Sequence, residues 1–251
     1  MKKICIVGLG NMGQSIYDLL SINNLFTVRG CGRGDDVNAA FSESDIIVIA
    51  VKPQNFSDFS NNLSIDVSNK LIVSIMAGIS VENIGKAISA TKIVRVMPNL
   101  PLKVGAGFSG WYPAPSLSHE DKEDIIAILK SMGDEIELKE EDQIDLITPI
   151  TGSGPAYFAY LIEALEHAAL RSGFDHVAAR KMAKATFIGT AELMKQEGLS
   201  ADTLIAKVAS KGGITEVALN HMESNSMDKI VIEAVMAAQK RAKELNEQNG
   251  S

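Results

Sequence analysis

The run ICIVGLGNMG, residues 4–13, constrains the fold more than any other part of the chain. It places the spacing Gly-x-Gly-x-x-Gly directly after an apolar β-type stretch and at the opening of a helix-forming stretch, the context that a dinucleotide-binding turn requires. Gly8 permits the tight turn, Gly10 lets the backbone approach a pyrophosphate, and Gly13 lets the helix pack on the strand. Amides at the helix start then supply an anion site. We therefore predict a Rossmann-like domain at the front of the chain.

The first half of the chain alternates short apolar runs with helix-forming stretches. The predicted strands, rich in β-branched residues, are 3–7, 26–30, 46–51, 71–75 and 93–97, and the predicted helices are 11–22, 80–87 and 118–132. The runs GFSGWYP and EIELK are candidates for late or edge strands. Such apolar runs are typical of parallel strands buried on both faces. The pattern indicates an α/β fold with a doubly wound parallel sheet.

After about Lys139 the strand signals stop and only helices are predicted. They cover 140–147, 155–172, 176–197, 201–209, 215–222 and 227–246, and the terminal run 246–251 is expected to fray. The helix over 155–172 is apolar on more than one face, so it lies either at the centre of a bundle or at an interface with a second subunit. Because a domain of roughly 110 residues has few places to hide such faces, we predict a homodimer. The predicted domains are 1–150 and 151–251.

Composition excludes several classes of partner. The chain has 24 Lys and Arg against 31 Asp and Glu, a formal net charge of −7, and no basic stripe interleaved with aromatic residues, which disfavours a nucleic-acid or anionic membrane surface. The longest strongly apolar run, 46–51, is far shorter than a membrane span, and the apolar stretch after Met1 is too short for a signal peptide. The two cysteines and four scattered histidines form no metal-binding spacing. We expect a cytoplasmic protein that binds a small molecule and no metal.

The segment VRGCGRGDD, residues 28–36, bears on which dinucleotide is bound. NAD enzymes usually carry an acid at this point, whereas here Arg29 and Arg33 precede Asp35 and Asp36. An arginine near the ribose 2′ position favours NADPH, with NADH as the alternative. The other interpretation, which the sequence supports equally, is that both arginines are ordinary surface residues. Only 14 residues, 31–44, separate the second strand from the third, so the adenine side of the domain is expected to be abbreviated.

Three further segments are candidates for ligand binding. AVKP, residues 50–53, follows the third strand, and Lys52 either touches the cofactor or is a solvated turn residue. GSGPAY at 152–157 and SKGGIT at 210–215 are read as glycine-rich helix starts, whose free amides would seat a carboxylate or phosphate. The alternative for the last two is ordinary helix capping by Ser153 and Ser210.

Six motifs in order resemble the pyrroline-5-carboxylate reductase family. They are GLGNMG (8–13), AVKP (50–53), SIMAGIS (74–80), RVMPNLP (95–101), GSGPAYF (152–158) and VASKGGITEVALNHME (208–223). The last has the family spacing V-x-S-x-G-G-x-T-x-x-A-L-x-x-[LM]-E. The resemblance implies a nucleotide-binding domain, a helical domain that dimerises and binds substrate, and assembly of some members into decamers. It implies reduction of the ring C=N of 1-pyrroline-5-carboxylate to L-proline by NADPH or NADH.

The resemblance also implies which residues form the site. The substrate carboxylate would be gripped by the amides of Gly212, Gly213, Ile214 and Thr215, the Thr215 hydroxyl would hydrogen-bond the imine nitrogen, and Glu141 would lie near the substrate. The alternative for Glu141 is a solvated acidic helix face. The cofactor contacts carried over by position are Gly8, Leu9, Gly10, Asn11, Met12, Gly13, Arg33, Ala50, Val51, Lys52, Pro53, Asn55, Ile75, Met76, Ala77 and Asn99. Asn99 would lie near the nicotinamide end.

The chain departs from the family pattern at three positions. Leu100 stands where the family usually has Thr, Lys211 where it has Pro, and Ile214 where it has Thr. Two other functions are alternatives to the reductase. One is a β-hydroxyacid dehydrogenase, for which Lys181 or Lys184 would supply the catalytic lysine. The other is a nucleotide-binding paralogue that has lost turnover.

Overall fold

A computed structural model describes residues 1–249, with side chains through Glu244. Its contacts cluster into two units, one formed by Met1–Ser153 with the end of the chain from Ala238, the other by Gly154–Ala237. Gly250 and Ser251, in the run expected to fray, lie outside the described residues. No helix of the described part is long and apolar enough to cross a membrane.

The first unit is built on a seven-stranded sheet. Its strands are β1 (Lys2–Val7), β2 (Phe26–Cys31), β3 (Ile46–Ile49), β4 (Leu71–Ser74), β5 (Ile93–Pro98), β6 (Gly107–Pro113) and β7 (Gly133–Glu137). Their order is β2-β1-β3-β4-β5-β6-β7, and every neighbouring pair is parallel except β5 and β6. The connection between β5 and β6, residues 99–106, is too short for the dozen or so residues that a parallel crossover needs, so β6 runs antiparallel.

Helices cover both faces of this sheet. They are α1 (Asn11–Ser21), α2 (Val37–Ser42), α3 (Phe56–Asn61), α4 (Val81–Ile88), α5 (His119–Lys130) and α6 (Gln143–Ile147), with 3₁₀ turns at Pro53–Asn55 and Leu100–Val104 and a π turn at Thr148–Gly152. Alternate residues of β1 point to opposite faces. Ile4 and Ile6 belong to the core cluster under α1 and α5, whereas Cys5 and Val7 belong to the cluster under α2, α3 and α4.

The second unit consists of helices. They are α7 (Gly154–Arg171), α8 (His176–Glu197), α9 (Ala201–Val208), α10 (Ile214–Ser224) and the first part, through Ala237, of α11 (Met227–Asn249). The side chains of α7 and α8 pack together, and the Phe158 and Phe187 ring centroids are 5.6 Å apart. None of the described side chains on α9, α10 or α11 is buried. These helices therefore carry large apolar side chains that the single chain leaves exposed.

The predicted fold class is confirmed, and the predicted strands are shifted by at most two residues at either end. The expected short adenine side is present as the six-residue α2. The run GSGPAY opens α7 as predicted, since the helix begins at Gly154, but the amide of Ser153 is not free as expected. The chain is already helical in the π turn at Thr148–Gly152, and the Ser153 amide donates to the Thr148 carbonyl at 3.1 Å.

Candidate active site

The first glycine turn has the geometry of an anion site. Gly8 has φ +93°, and a Cβ there would lie 2.7 Å from the Ala50 backbone. A Cβ on Gly13 would lie 2.1 Å from the Gly8 carbonyl oxygen, so neither position accepts a side chain. At Gly10, by contrast, a Cβ would have no described atom within 4 Å beyond its own chain neighbours, and as the N-cap of α1 Gly10 makes no side-chain cap. The start of α1 is thus both uncapped and open.

The turn lies at the point where the sheet reverses its order. The chain leaves β1 to form β2 on one side and returns to form β3 on the other, which is where ligands bind in open α/β sheets. The Ala50 amide donates to the Val7 carbonyl at 2.8 Å, and the Ile75 amide donates to the Ile49 carbonyl at 3.1 Å. The segments that follow β1, β3 and β4 therefore share one edge of the sheet.

The remaining predicted cofactor residues differ in how exposed they are. Lys52, Asn55 and Ala77 are exposed, whereas Met76 is buried in the core cluster under α4, so Met76 offers only its backbone. The Met76 amide donates to the Ser74 hydroxyl at 3.3 Å. Gly10 and Asn11 also line a cavity of about 670 Å³.

The acids after β2 are directed at their own loop. The Asp35 carboxylate accepts from the Gly32 amide at 2.8 Å, and Asp36 caps α2 through the Ala39 amide at 3.0 Å. Arg29 pairs with Glu43 at 3.4 Å. Arg33 is exposed, and its guanidinium takes part in no hydrogen bond or ion pair with the described residues. It is therefore the charged group of this loop that stays available to a ligand, which fits a 2′-phosphate better than a 2′-hydroxyl.

Asn99 has a structural role that its sequence position did not reveal. The residue is 9% exposed, and its side chain donates through Nδ2 to the Thr151 carbonyl at 3.1 Å and accepts at Oδ1 from the Phe108 amide at 2.8 Å. It therefore ties the end of β5 to the π turn and to β6. Any hydrogen bond to a nicotinamide would have to use the capacity of Nδ2 or Oδ1 that these two bonds leave free.

Glu141 is not on a solvated face. Its Oε1 accepts from Arg95 Nη1 at 2.9 Å and from the Val81 amide, the first of α4, at 2.8 Å. Arg95 was missed by the sequence reasoning, although a charged residue inside the apolar run of β5 is a recognisable signal. Its side chain is 4% exposed, with Asp145 Oδ1 3.7 Å from Nη2.

The second glycine turn is partly occupied by the chain itself. Gly212 has φ +74°, and its amide donates to Glu216 Oε2 at 2.7 Å, while the Gly213 amide donates to the Ser210 carbonyl at 2.9 Å. Capping by the Ser210 hydroxyl is therefore wrong, since Gly213 is the N-cap and makes no side-chain cap. Two of the four predicted carboxylate donors already have partners. The other two, the amides of Ile214 and Thr215, donate to no acceptor among the described residues.

Metal chemistry has no support in the part of the chain with described side chains, where no group of three His, Cys, Asp or Glu is suited to a metal ion. Cys5 and Cys31 are free and buried. Burial, with the neighbouring Cys31, raises the pKa of the Cys5 thiol to about 12, so it stays protonated near neutral pH. The first glycine turn remains the site best suited to a charged ligand.

Comparison with known proteins agrees with this geometry. Residues 141–245 match the family model for pyrroline-5-carboxylate reductase dimerisation, and residues 32–78 match the model for coenzyme F420-dependent NADP oxidoreductases. The pyrroline-5-carboxylate reductase of Aquifex aeolicus is 33% identical over 260 residues, covering 97% of each chain. That of Vibrio alginolyticus is 32% identical, again covering 97% of each.

Two solved structures have the same fold over nearly the whole chain. The Plasmodium falciparum pyrroline carboxylate reductase with NADP bound has a TM-score of 0.83 at 31% identity, covering 98% of each chain. The Coxiella burnetii pyrroline-5-carboxylate reductase has a TM-score of 0.88 at 29% identity, covering 97% of this chain and 98% of that one. The chain belongs to the pyrroline-5-carboxylate reductase family.

Proposed function

We propose that the chain reduces the ring C=N of 1-pyrroline-5-carboxylate to L-proline, with NADPH as the preferred hydride donor and NADH as the alternative. The observation that carries the proposal is the open, uncapped start of α1 at Gly10, in a chain with full-length relatives of that name. Residues 1–150 bind the dinucleotide, and residues 151–251 dimerise and hold the substrate.

The first glycine turn and its neighbours hold the cofactor. The amides at the start of α1 take the pyrophosphate because the helix N-terminus favours negative charge. Arg33 takes the 2′-phosphate, since the carboxylates of Asp35 and Asp36 are held by their own loop. The exposed turns after β3 and β4 supply further backbone contacts. When bound, the reduced nicotinamide supplies the hydride for the imine carbon.

The start of α10 holds the substrate. The amides of Ile214 and Thr215 grip the ring carboxylate, helped by the positive end of the helix dipole. The amides of Gly212 and Gly213 join them only by exchanging their internal partners. The Thr215 hydroxyl, which is half-buried, donates to or accepts from the imine nitrogen as its protonation changes. No strong general acid is required, because the imine nitrogen is itself basic.

The helical unit supports assembly. Large apolar side chains on α7, α10 and α11 are exposed in the single chain, among them Leu165 at 51% and Val217 at 67%, and soluble monomers seldom expose contiguous apolar faces. The proposed state is a homodimer, with a decamer as the higher assembly, working in the cytoplasm. The family model for dimerisation covers this region.

The direct test follows reductant consumption by its near-ultraviolet absorbance, with 1-pyrroline-5-carboxylate and either NADPH or NADH. We expect turnover, with a higher kcat/KM for NADPH. Tight dinucleotide binding with a flat trace for both reductants would instead identify a non-catalytic paralogue. Oxidation of a β-hydroxyacid with NAD would identify the dehydrogenase.

A variant pair tests the role of Thr215. Thr215→Ala removes one hydrogen bond, which is worth about 0.5–1.5 kcal/mol, so kcat/KM should fall roughly 2- to 12-fold while the NADPH Kd stays unchanged. Thr215→Ser keeps the hydroxyl and should retain most of the activity. An equal loss of NADPH affinity in Thr215→Ala would show that this turn does not serve the substrate.

A further inference from the structure

Arg95 is an unusual residue for its place in the fold. Every residue of β5 is buried, and the flanking Val94 and Val96 belong to the core cluster under α1 and α5. Because neighbouring residues of a strand alternate, the Arg95 side chain points to the opposite face, the one covered by α4. A buried charge of this kind is costly unless it is paired and hydrogen-bonded.

The pairing of Arg95 is incomplete. A guanidinium has five N–H donors, and within the described part of the chain Nη1 is the atom with a hydrogen bond, to Glu141 Oε1 at 2.9 Å. Nε and Nη2 are buried without a hydrogen-bond partner among the described residues, and Nη2 forms only a long ion pair with Asp145 Oδ1, at 3.7 Å. Well-packed apolar residues often replace such ion pairs at no loss of stability. A role in positioning other groups therefore explains this ion pair better than a contribution to stability does.

Glu141 connects this buried charge to α4. The same Oε1 that binds Arg95 accepts the Val81 amide at 2.8 Å, and Ser80 caps the helix through the Asn83 amide at 3.1 Å. A carboxylate is favoured at a helix N-terminus by the helix dipole. Arg95, on the interior strand β5, holds that carboxylate through Nη1. The beginning of α4 is thereby fixed by a residue 60 positions further along the chain.

The segment that this contact anchors is the loop between β4 and α4. Its first half is held by burial of Met76 in the core, and its second half by Glu141 at Val81. Between these anchors Ala77 is exposed and Gly78 has φ +73°. The loop follows β4 at the same edge of the sheet as the first glycine turn, so its exposed apex faces the side on which a dinucleotide binds.

We propose that Arg95 and Glu141 are positioning residues for the dinucleotide, which hold the loop of residues 75–80 in the shape that receives the reductant. The proposal rests on the dinucleotide site of the proposed function. It gives Glu141 a role on the cofactor side in place of the substrate contact that the family resemblance implies. It also gives Arg95 a role that its position in a buried strand does not suggest.

The test uses Glu141→Gln, which keeps the shape and removes the charge, with Asp142→Asn as the matched control. Asp142 is the exposed neighbour, and its side chain makes no cap. NADPH Kd is measured by fluorescence titration without substrate, and substrate KM is then measured at saturating NADPH. We expect Glu141→Gln to raise the NADPH Kd about tenfold, corresponding to roughly 1.4 kcal/mol, with substrate KM unchanged. Asp142→Asn should match the wild type in both.

Two results would overturn the proposal. One is an unchanged NADPH Kd in Glu141→Gln together with a lower thermal midpoint, which would make the pair purely structural. The other is a raised substrate KM with an unchanged NADPH Kd, which would place Glu141 on the substrate. Arg95→Lys, which keeps the charge but loses the fork geometry, should weaken NADPH binding in the same direction. Because the NADPH Kd is measured without turnover, a chain that binds NADPH but reduces nothing would defeat the proposed function and still allow the Kd comparison between Glu141→Gln and Asp142→Asn.

Discussion

Gly10→Ala separates ligand binding from folding. Gly10 has φ −78° and ψ −169°, which alanine adopts without strain, and its would-be Cβ has no atom within 4 Å. Two small effects on stability oppose each other. Alanine restricts the unfolded chain, which stabilises by about 0.4–1 kcal/mol. It is also a poorer N-cap than glycine, which costs on the order of 1 kcal/mol or less. We therefore expect a thermal midpoint close to that of the wild type.

The same methyl group should greatly weaken NADPH binding. It would occupy the open space beside the start of α1, which is the proposed position of the pyrophosphate. A hydrogen bond to a charged group is worth about 1.5–3 kcal/mol, so losing one raises the Kd roughly 10- to 150-fold. Fluorescence titration of NADPH measures the Kd, and calorimetry measures the midpoint.

Gly13→Ala is the comparison variant, because its Cβ would lie 2.1 Å from the Gly8 carbonyl oxygen. It should lower the midpoint, since backbone would have to move, and its loss of binding should follow its loss of folded protein. If Gly10→Ala bound NADPH as tightly as the wild type, the amides of this turn would not contact the pyrophosphate. The assignment of the cofactor site would then be wrong.

Three other predictions concern separate parts of the chain. Burial opposes ionisation of Asp121, but Ser118 and Lys92 outweigh it and hold the pKa of Asp121 below its ordinary value of 3.8. The ionised carboxylate therefore stabilises the fold above pH 3.8, and this stabilisation is lost as the pH falls through the folded pKa. Denaturation should show a lower free energy of unfolding for Asp121→Asn than for the wild type at pH 7, and the difference should shrink in acid. Glu216→Gln removes a charge that competes with the substrate for the Gly212 amide. A charge at a helix N-terminus is worth about 0.3–1 kcal/mol, so the substrate KM should fall about 2- to 5-fold. A rise in KM would mean that Glu216 shapes the turn. Leu165→Glu should yield a smaller species by light scattering, and an unchanged mass would exclude the exposed face of α7 from the interface.

The sequence by itself determined the elements whose causes are local. The glycine spacing after β1 predicts its turn because only glycine fits at Gly8 and Gly13. Helix α8 begins after its N-cap Asp175 and ends before Gly198, which has the left-handed conformation. Each of these signals lies next to the helix end that it determines. The alternation of β-branched runs and helices likewise predicts the doubly wound sheet.

The tertiary structure decided what depends on residues far apart in the chain. Glu141 meets Arg95 across 46 positions and Val81 across 60, and Asn99 meets Thr151 across 52. No period or cap signal encodes such pairs, because they form only when the sheet brings strand ends together. Glu216 and the Gly212 amide are only four residues apart, yet their hydrogen bond depends on the left-handed backbone of Gly212. Composition and spacing name the groups, whereas folding decides which of them are already bonded to one another and which remain for a ligand.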